Sequence, residues 1–276
     1  MDAPPATEDS RQFVRVAGLM RQAGLHVPDI LVTDLAQGFL LLSDLGTATY
    51  LTSLTESNVD QLFGDAIDAV VRWQLSTAAE ALPPYDEKLL QRELSLFPDW
   101  FIARHLQRQL TPAQEAVLAQ MFNCIVAMNL AQPKVFVHRD YMPRNLMVST
   151  PNPGVLDFQD AVIGPISYDV VSLFRDAFVS WDNARVHAWV RVYFERARAA
   201  GLPVGSDFDD FWRGFEWMGL QRHLKVLGIF ARIRYRDGKP HYLEDAPRFI
   251  HYVRDVVERY DELKPLARLF DELGLT

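Results

Sequence analysis

Two short stretches constrain this chain more than any others: His138-Arg139-Asp140-Tyr141-Met142-Pro143-Arg144-Asn145 and, soon after, Val155-Leu156-Asp157-Phe158-Gln159-Asp160. Asp140 and Asn145 stand five residues apart, and Asp157 follows Asn145 by twelve. A β-like run, Val135 to Val137, leads toward Asp140, so its carboxylate is expected at a strand-to-loop transition where a rigid element can aim it. Leu146 to Val148 and Gly154 to Leu156 read as the two strands of a hairpin that carries Asn145 and Asp157. A lone His-x-Asp is common in ordinary loops. The same pair followed by an Asn, and then by a β-like run ending in Asp, seldom arises by chance. The set offers one carboxylate for an acceptor hydroxyl, and an amide oxygen with a second carboxylate for magnesium. Phosphoryl transfer from a nucleotide needs those groups, because positioning and charge neutralisation make up most of that catalysis. His138 and Arg139 read as braces for the loop. Asp160 reads as a cap for the next turn, with a share in the metal as the alternative. Asp169, at the start of an apolar helix, reads either as an N-cap or as a buried carboxylate tying down the loop's amides.

A net charge of −8 argues against a nucleic-acid partner, which selects for a basic face. It says nothing against a magnesium-bound nucleotide. The single cysteine, Cys124, excludes a disulfide framework and fits a reducing compartment. It sits in an apolar helical run, Val117 to Val126, and reads as a buried thiol. No signal-peptide core opens the chain, and no apolar run approaches the ~20 residues that span a bilayer. The expected location is cytoplasmic, with no membrane partner.

Along the chain, Ser10 to Ala23 reads as an amphipathic helix ending at Gly24, and Ile30 to Asp34 and Gly38 to Ser43 as paired strands. Asp44-Leu45-Gly46 breaks the pattern. Helical spacing then covers Asn58 to Glu80, Asp86 to Gln107 with a break at Phe97-Pro98, and Pro112 to Leu130 behind a Thr111 cap. After the motif region it resumes over Tyr168 to Val179, Ala184 to Ala200, Phe208 to Arg232, Ala246 to Arg259 and Lys264 to Leu273.

These motifs resemble the aminoglycoside phosphotransferase and choline kinase-like branch of the protein kinase fold. In that branch the loop reads His-x-Asp-x-x-x-x-Asn, the metal strand reads Ile/Leu-Asp-Phe, and a Gly-Pro-x-x-x-Asp segment follows, here Gly164 to Asp169. The resemblance implies an α+β, protein kinase-like two-lobe fold, with ATP as co-substrate and Mg2+ as cofactor. Asp140 becomes the catalytic carboxylate, Asn145 and Asp157 the metal ligands, and His138 and Asp169 the supports of the loop. Ser43, Asp44 and Leu45 become the nucleotide hinge. Residues 1–45 would be the remnant of the nucleotide-binding lobe and 46–276 the helical catalytic and substrate lobe.

Within the branch, HRDYMPRNLM, LDFQDAVIGPISYD, SLFRDAF and MGLQRHLKVLGIFARI resemble bacterial kinases that phosphorylate the anomeric C1 hydroxyl of N-acetylmuramate and N-acetylglucosamine in peptidoglycan recycling. A hydroxylated ring calls for hydrogen-bonding side chains and an aromatic face. Arg144, Tyr141, Glu93 and Trp100 are candidates for that role. Arg175, Arg222, His223 and Lys225 are cations able to meet an acceptor carboxylate or phosphate. The chain departs from the branch at its start: no Gly-rich phosphate loop occurs, and no Lys precedes Lys88. Glu8 reads as a first-turn acid, with the lobe's helix glutamate as the alternative. A truncated N-terminal β lobe and weak or absent nucleotide binding are therefore expected. Two other readings stay open: an aminoglycoside, choline or homoserine-type alcohol kinase, and a catalytically silent binding module of the same fold.

Overall fold

A computed structural model of the chain describes residues 1–4, 9–76 and 82–276. Glu8 and the end of the expected Asn58–Glu80 helix lie outside the described residues. In chain order the elements are α1 (Ser10–Gln22), β1 (Ile30–Asp34), β2 (Phe39–Leu42), α2 (Tyr50–Ser53), α3 (Val59–Gln74), α4 (Glu87–Leu94), a π-helical stretch (Phe97–His105) and α5 (Pro112–Leu130). There follow β3 (Lys134–Val137), β4 (Leu146–Met147), β5 (Gly154–Val155), β6 (Val162–Pro165), α6 (Tyr168–Phe174), α7 (Asn183–Ala199), α8 (Phe208–Asp237), α9 (Ala246–Arg259) and α10 (Lys264–Leu273). The mixture is α+β, as expected.

The chain folds into two compact units, and neither is continuous in sequence. One joins Met1–Pro84 to Pro133–Phe208; the other joins Tyr85–Gln132 to Asp209–Thr276. The first unit runs across residue 45, the lobe boundary expected from the sequence, and joins segments far apart in the chain. Backbone pairing is the reason: His26 bridges to Gly154, and Ile163 N–H donates to Pro83 O at 2.9 Å.

Among the described residues of the first unit, three two-stranded antiparallel ladders form. β1 pairs with β2 through a bulge near Ile30, and β4 pairs with β5 as Leu146 opposite Val155 and Met147 opposite Gly154. β3 pairs with β6, Val137 opposite Val162, which fixes the strand that leads into the motif loop. Below it Trp73 of α3 packs on Phe136 with ring centroids 4.8 Å apart. Rings of this size bury enough apolar area to contribute about 1.5–3 kcal/mol each. α6 is buried along its whole length and stops at Arg175, short of the expected Val179, because Arg175 leaves helical backbone. α3 and α7 are joined by Trp189 Nε1–H donating to Asp60 at 2.8 Å.

The second unit is helical. Asp86 caps α4, Pro98 opens the π-helical stretch, and Thr111 with Gln114 forms a capping box on α5. α5 buries Leu118, Met121, Phe122, Ile125, Val126 and Asn129. Cys124 lies outside that stripe and is exposed, which corrects the expectation of a buried thiol. A helix that is apolar nearly all round hides its buried face from a reading of the sequence. Gly228 of α8 meets the backbone of Leu96 so closely that an added Cβ would lie 2.3 Å from its carbonyl carbon.

Candidate active site

Val137 ends β3, and the chain turns at once into the motif loop. His138 is fully buried. Its backbone N–H donates to Asp169 Oδ2 at 2.7 Å, and the N–H of Arg139 donates to Asp169 Oδ1 at 3.0 Å. Asp169 is itself fully buried on α6, so one carboxylate receives two successive loop amides. Arg139 has φ 76°, a left-handed backbone that costs roughly 1–3 kcal/mol and persists where such bonds over-determine it.

The imidazole extends the scaffold. Asp140 N–H donates to His138 Nδ1 at 3.2 Å, so the ring proton sits on Nε2 and donates to Leu156 O at 3.0 Å. Burial holds the His138 pKa below the ordinary 6.5 against the opposing pull of Asp140 and Asp157. The neutral ring thus links the motif loop to the strand that carries Asp157.

A short 3₁₀ turn, Pro143–Asn145, delivers Asn145 to the start of β4. Its Nδ2 donates to Asp140 O at 2.9 Å and to Asp157 Oδ2 at 3.2 Å. Asn145 Oδ1 accepts no hydrogen bond among the described residues and is the amide's open lone-pair atom. Asp157 follows β5 with φ 61° and is exposed, and Gln159 Nε2–H donates to its Oδ1 at 2.9 Å. Phe158 stacks on Phe13 of α1 with centroids 4.7 Å apart, which anchors the segment beside Asp157. The Asp140 carboxylate is half-buried and accepts no hydrogen bond among the described residues.

These oxygens suit magnesium. Among the described residues no three His, Cys, Asp or Glu side chains gather into a metal cage. One amide oxygen and one carboxylate is the sparse, hard donor set of an ion that completes its shell with waters and phosphates.

The remaining candidates are distributed as follows. Ser43 exchanges hydrogen bonds with Asp29, Asp44 accepts from Gly46 N–H at 2.8 Å, and Leu45 packs where a Cβ on Gly154 would fall. The expected hinge thus abuts the hairpin. Arg144 is exposed, with its guanidinium 5.1 Å from the centroid of Phe178. Arg175 Nη2–H donates to Asn183 Oδ1 at 2.5 Å. Tyr141 is a correction: it is buried, and its hydroxyl donates to Ala66 O at 2.8 Å, so it braces the loop against α3 instead of facing an acceptor. Asp160 is exposed and caps no turn among the described residues. Glu93, Trp100 and Arg222 belong to the second unit. There Glu93 is buried and accepts from Gln221 at 3.2 Å and Lys225 at 2.9 Å as well as from Tyr85. Arg222 is also buried, and Trp100 is half-buried in the π-helical stretch. Gln159 and Phe178 escaped the sequence reading, since neither residue type announces a role.

Comparison with known proteins agrees with this architecture. The chain is 56% identical over 273 residues to an N-acetylmuramate/N-acetylglucosamine kinase of Pseudomonas aeruginosa, covering 99% of this chain and 81% of that one. A Pseudomonas putida protein of the same name is 54% identical, covering 99% and 80%. In three dimensions the chain resembles a choline/ethanolamine kinase family protein from Mesorhizobium loti, with a TM-score of 0.65 at 13% identity over 94% of this chain and 82% of that one. The model of the phosphotransferase enzyme family matches residues 1–202. With the loop, the metal-suited pair and the buried supporting aspartate in place, the chain belongs to the phosphotransferase enzyme family.

Proposed function

We propose that this chain transfers the terminal phosphoryl group of ATP to the anomeric C1 hydroxyl of N-acetylmuramate or N-acetylglucosamine, and so acts in the recycling of peptidoglycan sugars. The observation that carries the reading is the open Asp140 carboxylate, aimed by β3 and braced beside an Asn145–Asp157 pair suited to magnesium. Asp140 receives the hydrogen bond of the acceptor hydroxyl, orients its oxygen and takes its proton as the new O–P bond forms and the bond from the γ-phosphorus to the β–γ bridging oxygen breaks, releasing ADP. Asn145 Oδ1 and Asp157 would hold the magnesium, which when bound neutralises phosphate charge. His138 and Asp169 keep the loop's backbone in register and carry no proton in the reaction. The sugar class is supported by the names of the 56% and 54% identical relatives.

The test is an acceptor panel of N-acetylmuramate, N-acetylglucosamine, choline, kanamycin and homoserine, each with magnesium-ATP, with products read by ³¹P NMR. A phosphorus signal coupled to the anomeric proton of either sugar supports the reading. Phosphate on choline, kanamycin or homoserine alone rejects it in favour of the alcohol-kinase alternative. No product with any acceptor returns the chain to a silent binding module.

A further inference from the structure

The two proposed acceptors differ in charge: N-acetylmuramate carries a lactyl carboxylate on its ring, and N-acetylglucosamine does not. A cation that is satisfied with or without that carboxylate is one way to favour the charged sugar while still accepting the neutral one.

Arg144 has that property. It stands four residues after Asp140 and immediately before Asn145, inside the loop that carries the chemistry. It is exposed, and no carboxylate among the described residues pairs with it. Its guanidinium lies over Phe178, 5.1 Å from the ring centroid, and it makes no hydrogen bond or ion pair with a described side chain. Phe178 is placed in turn by Asp176, which is buried and whose Oδ2 accepts the Phe178 N–H at 3.3 Å. A guanidinium resting on a ring face keeps the N–H donors at its edge open, because the ring occupies only the face of the fork. Planar donors held this way match a carboxylate bidentately. When no carboxylate arrives, the ring face and solvent still serve the charge, so a neutral acceptor is not penalised by a buried, unpaired cation.

Resting on the sugar-kinase reading above, we propose that Arg144, held on Phe178, pairs with the lactyl carboxylate of N-acetylmuramate and sets the preference between the two sugars. The pair forms in the acceptor complex and leaves the reacting C1 oxygen to Asp140.

The experiment compares the parent with Arg144→Ala and Arg144→Lys, using N-acetylmuramate, its methyl ester and N-acetylglucosamine, and reads the ratios of kcat/KM. In the parent, esterification is expected to lower kcat/KM about tenfold or more, the factor supplied by one charge-assisted pair of about 1.4 kcal/mol. Arg144→Ala is expected to lower the N-acetylmuramate to N-acetylglucosamine ratio by a similar factor, mainly through KM, and to become indifferent to esterification. Arg144→Lys should recover part of the ratio, since charge returns without the planar fork. A ratio unchanged within threefold in Arg144→Ala, or an ester penalty that survives in that variant, overturns the assignment. An equal fall on all three sugars also overturns it, because Arg144 would then serve the phosphates or the loop. A parent that phosphorylates neither sugar removes the sugar-kinase reading itself and this inference with it, a pattern visible before any variant is made.

Discussion

His138 shows how much one residue can hold without touching a substrate. Its amide, Nδ1 and Nε2 are each engaged, with Asp169, the Asp140 N–H and Leu156 O respectively. Because burial lowers its pKa in the folded chain, the unfolded chain binds the proton first as pH falls. The contribution is therefore fully present above the ordinary value of 6.5 and declines below it, by up to about 1.4 kcal/mol per pH unit for one proton. Urea unfolding between pH 7 and pH 5 should show a steeper loss in the parent than in His138→Gln; parallel slopes would contradict a neutral buried ring. Asp169 makes a second case. Asp169→Ala leaves two loop amides without their acceptor, at roughly 1–3 kcal/mol each, and should lower stability by about 3 kcal/mol together with turnover. Asp169→Asn keeps an acceptor oxygen and should lose less. A stability change under about 1 kcal/mol in the alanine variant, on the scale of one ordinary hydrogen bond, would remove Asp169 from this role. Spacing singled out positions 138, 140, 145 and 157, whereas the two readings of Asp169, a cap or a loop support, were ranked only by the family resemblance. The bond from Gln159 to Asp157 was not legible, since it depends on the left-handed turn at Asp157.

Among the elements, helices with one apolar stripe or a strong cap were readable to within a residue or two. α1 starts behind its Asp9 cap and stops before Gly24, α5 starts behind Thr111 and Pro112, and α10 stops at Gly274. β6 was not read as a strand, because Val162 to Pro165 is four residues long and its partner, β3, lies some twenty-five positions earlier. α2 was missed for its shortness, and the expected end of α8 at Arg232 fell short of Asp237 because its last turn is polar and exposed. Gly228 gives an element-scale prediction. With an added Cβ 2.3 Å from the Leu96 backbone, Gly228→Ala forces the two segments apart, although alanine is the better helix former by about 1 kcal/mol. Overpacking typically costs about 1–3 kcal/mol, so thermal unfolding should shift down, whereas a stabilised variant would contradict the close approach.

For the whole molecule, interleaved sequence segments decide the layout. Each compact unit joins stretches separated by about fifty or more residues, which is why this interleaving could not be read from local composition. No helix among the described residues is long and apolar enough to cross a membrane. With a net charge of −8, the chain gains nothing from its bulk field in binding a polyphosphate, so local groups and the metal must supply the attraction. That places the weight of the account on Asp140 and the pair beside it. The most direct test is ADP release with N-acetylmuramate for the parent and Asp140→Asn, alongside magnesium-ATP binding followed by thermal shift. The variant is expected to lose about 10³-fold in kcat, within the range of positioned proton transfer, while its unfolding temperature and nucleotide-induced shift match the parent's. Turnover within tenfold of the parent would contradict the account.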